Sequence, residues 1–344
     1  MTTDEGRPLA APRRDTDRRL EAPHRRGSES PRIVERLAVG GYRAVAKLVA
    51  SLPPGPTAEI IGRVSQLSYV LWPTKRHWSN RNFGHVLGLP PDDARVRALA
   101  LRAYRGYGRY LVELMRLPSR PVEEVAALAE LDAEAVRAVW GGAGGGGLIL
   151  AAGHVGNNEA VAAAVAGHGL PISVVADDSS FPELFDLLRR QRERWGVRVI
   201  AWRNLREIFG VLRRREMLAL LIDWGYRSDG IPVRLFGAWT TLPAGPATLA
   251  AKTGSRILPI TIRRNVDETF HVSWSDPIDV TSADPAELLR ATQAMADALA
   301  RTIGAAPDQW YSFKPLWPAT EGEAADLQRR AGLMATGVAD PGPA

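Results

Sequence analysis

The chain has 344 residues, 45% of them hydrophobic, and it has no cysteine. That is enough apolar material for one large core or two modest ones, and it excludes disulfides, thiolate metal sites and a cysteine nucleophile. The formal net charge is +6, yet residues 33–120 hold 14 Lys and Arg against 5 Asp and Glu, so the basic surplus sits in one third of the chain and points to a polyanion, nucleic acid or an anionic membrane.

Residues 1–32 mix Arg, Asp, Pro and Ser without the apolar middle of a signal peptide, which predicts a disordered tail. Over 33–52, Ile33, Leu37, Val45, Leu48, Val49 and Leu52 recur at helical spacing with Tyr42 on the same side, and Arg36, Arg43 and Lys47 fall mostly on the other. Two readings fit that pattern: a helix lying in a membrane interface, or an ordinary helix covering the core. Pro53, Pro54 and Pro56 end it. Helices are predicted over 57–71 and 93–116, the latter with a core stripe of Leu99, Tyr104, Tyr107, Leu111 and Leu114, and one more over 121–139. Residues 33–140 thus form a helical region, assigned to the membrane-facing side. No run approaches the ~18 apolar residues of a membrane span.

Gly141 to Gly147 is nearly all glycine and precedes its strand, so it predicts a flexible connector, since a phosphate-cradling loop follows its strand. From there the pattern alternates. Strands are predicted over 148–152, 171–176, 197–201, 217–222, 256–262 and 269–275. Helices are predicted over 157–168, 181–195, 204–215, 244–253 and 285–303, with 230–237 as a loop. This is the signature of an α/β fold with a mixed, largely parallel sheet flanked by helices. The core is placed at 141–318, and 319–344, rich in Ala, Gly and Pro, is predicted as a second disordered tail.

The chemistry-bearing residues gather at predicted strand ends. His154 follows the first strand, Asp177 the second and Asp223 the fourth, and parallel sheets bind ligands along that edge. The segment Gly153-His154-Val155-Gly156-Asn157-Asn158-Glu159 is a polar cluster between apolar stretches. A histidine needs a carboxylate on one ring nitrogen to serve as a general base, and Glu159 is placed to supply it. Asn157 or Asn158 can cap the following helix, whose exposed N–H groups would favour a developing oxyanion. No serine adjoins the histidine and no G-x-S-x-G elbow occurs, so direct attack by a substrate hydroxyl is expected rather than a covalent enzyme intermediate. The remaining histidines, at 24, 77, 85, 168 and 271, are too scattered for a metal site, and no metal or cofactor is expected.

His154-Val155-Gly156-Asn157-Asn158-Glu159 resembles the H-x4-D/E motif of glycerolipid-type acyltransferases. Leu220 to Asp223, Gly230 to Gly237, Leu242 to Ala247, Arg256 to Ile260 with Arg263-Arg264, and the aromatic ending Gln309 to Trp317 resemble, in that order, the blocks of one branch, the bacterial lipid A late acyltransferases and phosphatidylinositol mannoside acyltransferases. The resemblance covers roughly residues 40–318. It implies transfer of a fatty acyl group from an acyl thioester, acyl-CoA or acyl carrier protein, to a hydroxyl of a membrane glycolipid. His154 would be the base and Glu159 its orienter. Asp177 and Arg192 would contact substrate, with Asp223, Asn157 and Arg263 assigned to the substrate site beside them. The implied setting is the cytoplasmic face of the cell membrane, with the protein bound peripherally to an anionic surface. Three other readings stand beside it: an acyl-thioester hydrolase, a catalytically silent lipid-binding homologue, and a nucleic-acid-binding protein, the last without any supporting motif. The sequence sets no oligomeric state.

Overall fold

A computed structural model describes residues 30–142, 146–177 and 182–343, with side chains from residue 35. The tail predicted over 1–32 lies outside the described residues up to position 29, as does the middle of the glycine connector at 143–145.

The N-terminal region is helical: α1 (Ser30–Ser51), α2 (Pro54–Leu71), α3 (Pro73–Leu87), α4 (Ala94–Arg116) and the short α5 (Val122–Ala126). Helix α3 departs from the sequence reading. Its residues include Lys75, Arg76, Asn80, Arg81 and Asn82 with almost no apolar periodicity, so no amphipathic signal marks it. It forms because Pro73 starts it and Gly88, in the left-handed region, ends it. The helix predicted over 121–139 is split, with β1 (Ala129–Glu130) between α5 and α6 (Ala133–Gly141), and Asp132 caps α6.

The core alternates β2 (Leu148–Ala152), α7 (Asn158–Gly167), β3 (Ile172–Ala176), α8 (Pro182–Arg194), β4 (Arg198–Ala201), α9 (Leu205–Arg213) and β5 (Met217–Leu221). A hairpin follows, β6 (Ile231–Leu235) and β7 (Ala238–Leu242). Then come α10 (Gly245–Thr253), β8 (Arg256–Arg264), β9 (Phe270–Trp274), α11 (Pro285–Ala305) and α12 (Glu321–Ala335). Seven strands form one sheet in the order β1-β9-β8-β2-β5-β3-β4, parallel throughout except for β8 with β9. The fold is therefore α/β, mostly parallel and flanked by helices. Strand β2 is buried on both faces, and its side chains alternate between two apolar clusters. Ile149 and Ala151 join the layer of α9, α10 and α11, whereas Leu148 and Leu150 join that of α7.

Two expectations are corrected. Residues 230–237 are the first arm of the β6–β7 hairpin and its tight turn, rather than a loop. Pro232 hides the strand in sequence, because proline cannot donate to a ladder, but a two-stranded hairpin tolerates it. Phe236 and Gly237, with φ of 50° and 78°, make the turn. The segment 321–335 is an ordered helix, not a tail. Thr320 caps it, and the fully buried Arg330 donates to the Ser228 and Gly230 carbonyls and to Asp340. Its Ala and Gly content hid a helix that is held by one buried arginine and an apolar seam at Leu327, Ala331 and Met334.

Candidate active site

Strands β2 and β5 are neighbours in the sheet, in parallel register from Leu148 opposite Met217 to Ala152 opposite Leu221. Continued by two residues, that register sets His154 beside Asp223 at the carboxyl edge of the sheet. Gly153 allows the approach: a Cβ there would lie 2.7 Å from Leu299 and 3.2 Å from an Asp223 oxygen. Gly156 then turns the chain into α7 with φ of 65°, where L side chains are strained.

Asp223 is fully buried and surrounded by donors. Its Oδ1 lies 2.6 Å from His154 Nδ1, the His154 backbone N–H donates to both oxygens, and Trp310 Nε1 donates to Oδ2 at 2.8 Å. Burial alone would raise this carboxyl, but the His154 ring and these donors hold it below the usual carboxylate range. Burial likewise resists charging of the His154 ring. The Asp223 charge and hydrogen bond outweigh that and keep the ring above the usual histidine range, with nearby Lys314 opposing. With Nδ1 committed to Asp223, Nε2 is the nitrogen left to take a proton.

The carboxylate that steadies His154 is therefore Asp223, and the expected His154–Glu159 pairing is not formed. Glu159 instead takes a two-pronged salt bridge from Arg192 of α8, with Nη2 at 2.5 Å and Nε at 2.9 Å. The reason is geometric. Glu159 lies in the first turn of α7 and faces α8, whereas the His154 ring turns toward β5. Asn157 is the cap, and its Oδ1 accepts from the Glu159 and Ala160 N–H groups, so the expected open N–H site at the start of α7 is largely filled by the protein itself. Asn157 Nδ2 in turn donates to Glu113 of α4, which also binds Arg264. The ties from β8 to this site run through Arg264, while Arg263 is exposed opposite His271. Asp177, exposed at the end of β3, lies near enough to Lys314 to favour its charge. The structure thus brings His154, Asp223 and Asp177 to one edge, places Glu159 and Arg192 together next to it, and sets Asn157 beneath as a cap.

Sequence reasoning missed the role of the C-terminal aromatic segment as a clamp. The Tyr311 N–H donates to the His154 carbonyl, the Gly156 N–H donates to the Gln309 carbonyl, and Val155 bridges Trp310. Asn82 of α3 braces that segment from behind, donating to the Ser312 and Lys314 carbonyls and accepting from the Leu316 N–H. The only signal for this was the aromatic ending itself.

Beside the Glu159–Arg192 pair, an apolar cleft of about 110 Å³ opens between the sheet and α7, lined by Leu150, Val161, Val165, Val174, Ala219 and Ile262 among others. A larger hollow of about 990 Å³ lies beside Trp274, Arg290 and Arg301, and no residue of the His154 loop lines it. The smaller cleft is the one that adjoins the polar loop, through Asn158 and Glu159.

The chain matches the bacterial lipid A biosynthesis acyltransferase family over residues 30–319. It belongs to that family. It is an acyltransferase. It is also 27% identical over 283 residues to a phosphatidylinositol mannoside acyltransferase of Mycolicibacterium smegmatis (strain ATCC 700084 / mc(2)155), covering 80% of this chain and 90% of that one. A phosphatidylinositol mannoside acyltransferase of Mycobacterium tuberculosis (strain CDC 1551 / Oshkosh) is 31% identical over 264 residues, covering 73% of this chain and 79% of the relative.

The raised His154 proton affinity makes a pH prediction for this acyltransferase. On the reading of His154 as the general base, which must be neutral to act, kcat/KM should fall as pH drops through the His154 pKa. The acid limb of the profile should lie above the ordinary histidine value of roughly 6.5. A limb at or below that value would show that Asp223 does not charge-stabilise the ring in the working enzyme.

Proposed function

We propose that this acyltransferase moves a fatty acyl group from an acyl thioester, acyl-CoA or acyl carrier protein, to a hydroxyl of a membrane glycolipid, a phosphatidylinositol mannoside or a similar acceptor. The observation that carries the reading is the His154–Asp223 contact at the mouth of the sheet. Asp223 holds Nδ1–H, and Nε2 takes the proton from the acceptor hydroxyl as its oxygen attacks the thioester carbonyl. The tetrahedral intermediate then collapses, the C–S bond breaks, and the departing thiolate recovers the proton from the imidazolium. No protein nucleophile enters this sequence, and no cofactor beyond the thioester co-substrate is required. The apolar cleft beside Glu159 supports an acyl-chain substrate, and the names of the two relatives support a phosphatidylinositol mannoside acceptor.

Peripheral contact with the cytoplasmic face of the membrane is part of the proposal. Among the described residues no helix is long and apolar enough to cross a membrane. Helix α1 nevertheless keeps Leu37, Val45 and Leu48 exposed along one stripe that continues to Leu52 just past its end, while Tyr42 and Val49 turn inward. Helix α2 likewise exposes Ile60, Val64, Leu67 and Leu71. Arg43 and Lys47 lie on the polar side of α1 and Arg63 beside the α2 stripe, so basic side chains accompany both stripes, as in helices lying at an anionic lipid surface.

The test is acyl transfer from acyl-CoA to extracted membrane lipids. The His154→Ala variant should lose at least ~10²-fold in turnover, the scale of a general base. Normal turnover in that variant would sink the mechanism, and fatty acid release indifferent to added acceptor lipid would turn the assignment to a thioester hydrolase.

A further inference from the structure

Next to His154 lies a group of side chains that the proton-transfer chemistry leaves unused. Trp224 directly follows Asp223, is 56% exposed, and has its ring centre 5.8 Å from that of His154. Lys314, at the end of the aromatic clamp, holds its ammonium 3.6 Å from the Trp224 ring centre. Lys75, in the first turn of α3, places its ammonium 4.8 Å from the Trp78 ring and 5.8 Å from Trp72, which is also largely exposed. Asn82 locks α3 to the Lys314 segment, so the two lysines are presented on one rigid support.

Among the described residues the arrangement is short of negative charge. Among the described residues neither lysine forms a salt bridge with a carboxylate. Burial and then Lys75 lower the proton affinity of Lys314, and Asp177 only partly offsets them. Helix α3 adds to the imbalance, since Trp72 gives its N-terminus no side-chain cap and its first turn has no acid. Two ammonium groups held together by a folded backbone repel each other, and an anion with several oxygens relieves both at once. The exposed indole faces offer flat apolar platforms to the ring or sugar carried next to such an anion.

We propose that Lys75 and Lys314, set among Trp72, Trp78 and Trp224, form a subsite that grips a phosphate or phosphodiester group of the substrate whose reacting end sits at His154. The proposal rests on the acyl-transfer reading. Two substrates of that reaction carry the required chemistry, a phosphate-bearing thioester such as acyl-CoA and a phosphodiester-bearing glycolipid, and kinetics separates them.

The experiment uses the full chain with Lys75→Glu, Lys75→Ala, Lys75→Arg and Lys314→Glu. Both positions are exposed or half-exposed, so folding is not at stake. Each substrate is varied with the other saturating. Lys75→Glu should raise KM for one of them by about tenfold or more, the scale of a lost charge-assisted contact. Lys75→Ala should fall between, and Lys75→Arg should restore most of the affinity. A rise confined to acyl-CoA, absent with a truncated acyl thioester lacking phosphates, assigns the subsite to the donor. A rise confined to the glycolipid assigns it to the acceptor. Binding of unacylated CoA and of glycerophosphoinositol, followed by tryptophan fluorescence, reads the subsite even in a preparation that turns nothing over. At least one probe should bind, more weakly at higher salt and in Lys75→Glu. The proposal falls if neither KM moves and neither probe distinguishes the variants, if phosphate-free substrates suffer equally, or if only binding to anionic vesicles is lost.

Discussion

Replacing Asp223 with Asn should cut kcat/KM for acyl transfer by roughly 10³–10⁴-fold, the cost of losing the carboxylate behind a catalytic imidazole. An amide in that place still accepts from Trp310 Nε1 or the His154 backbone, so the fold has partners to keep. What it loses is the acceptor charge at Nδ1. The amide N–H then favours the tautomer with the proton on Nε2, where the base must be empty. The imidazolium that forms during attack also loses its counter-charge. A second signature separates this from simple loss of structure. His154 is held above the ordinary histidine range by Asp223, so the residual activity of the Asn variant should show its acid limb at lower pH than the parent. Asp223→Ala should lose as much activity and also stability, because Trp310 Nε1 and the His154 N–H would be left buried without an acceptor at about 1–3 kcal/mol each. Steady-state kinetics across pH, with thermal unfolding of each variant, checks all three statements. An Asn variant within tenfold of the parent would remove Asp223 from the mechanism.

The stability linked to this pair has a defined window. The depressed Asp223 pKa contributes stability above the unfolded carboxyl value that is lost as pH falls through the folded one. The raised His154 pKa contributes stability below the unfolded histidine value that is lost as pH rises through the folded one. The ion pair is therefore worth most between the two.

Much of this protein was legible in its residues. Apolar runs bounded by Gly and polar clusters marked the parallel strands, and their carboxyl ends carried His154, Asp177 and Asp223. The carboxylate that contacts His154 was misplaced for a physical reason. Sequence spacing favours the near residue, and Glu159 is five positions from His154 where Asp223 is sixty-nine away. Only the sheet order, with β5 inserted between β2 and β3, makes the distant carboxylate the neighbour. Helix α3 was illegible because its work is polar: Asn82 and Ser79 are buried and bond the chain, and such residues leave no hydrophobic period. Helix α12 was lost in the same way, its anchor being the charged Arg330.

Glu159 then acquires a different role, and its substitution makes the second large prediction. The Glu159 and Arg192 side chains are 12% and 18% exposed, and they join α7 to α8 at the mouth of the apolar cleft. Removing one partner of such a pair leaves a buried charge without its counterion, so Glu159→Ala should destabilise the protein by about 3 kcal/mol or more. Burial works against the Arg192 charge, and Glu159 keeps its proton affinity raised. Tyr42 of α1 and Tyr110 of α4 crowd the same pair, and burial, then the Glu159 charge, push both phenols up, so neither supplies a substitute anion. Removing both charges is a different matter, since an apolar pair of similar volume spares the desolvation of two ions. Glu159→Leu combined with Arg192→Met should recover most of the lost stability. Activity follows another logic. His154 keeps Asp223 in every one of these variants, so the acid limb should stay where the parent has it, and the damage should appear as a poorer KM for the acyl donor because the cleft mouth is no longer fixed. Thermal unfolding of the two single variants and the double variant, run with pH profiles, decides the matter. A shift of the acid limb in Glu159→Ala comparable to that of Asp223→Asn would return Glu159 to the imidazole and overturn the division of labour between the two carboxylates.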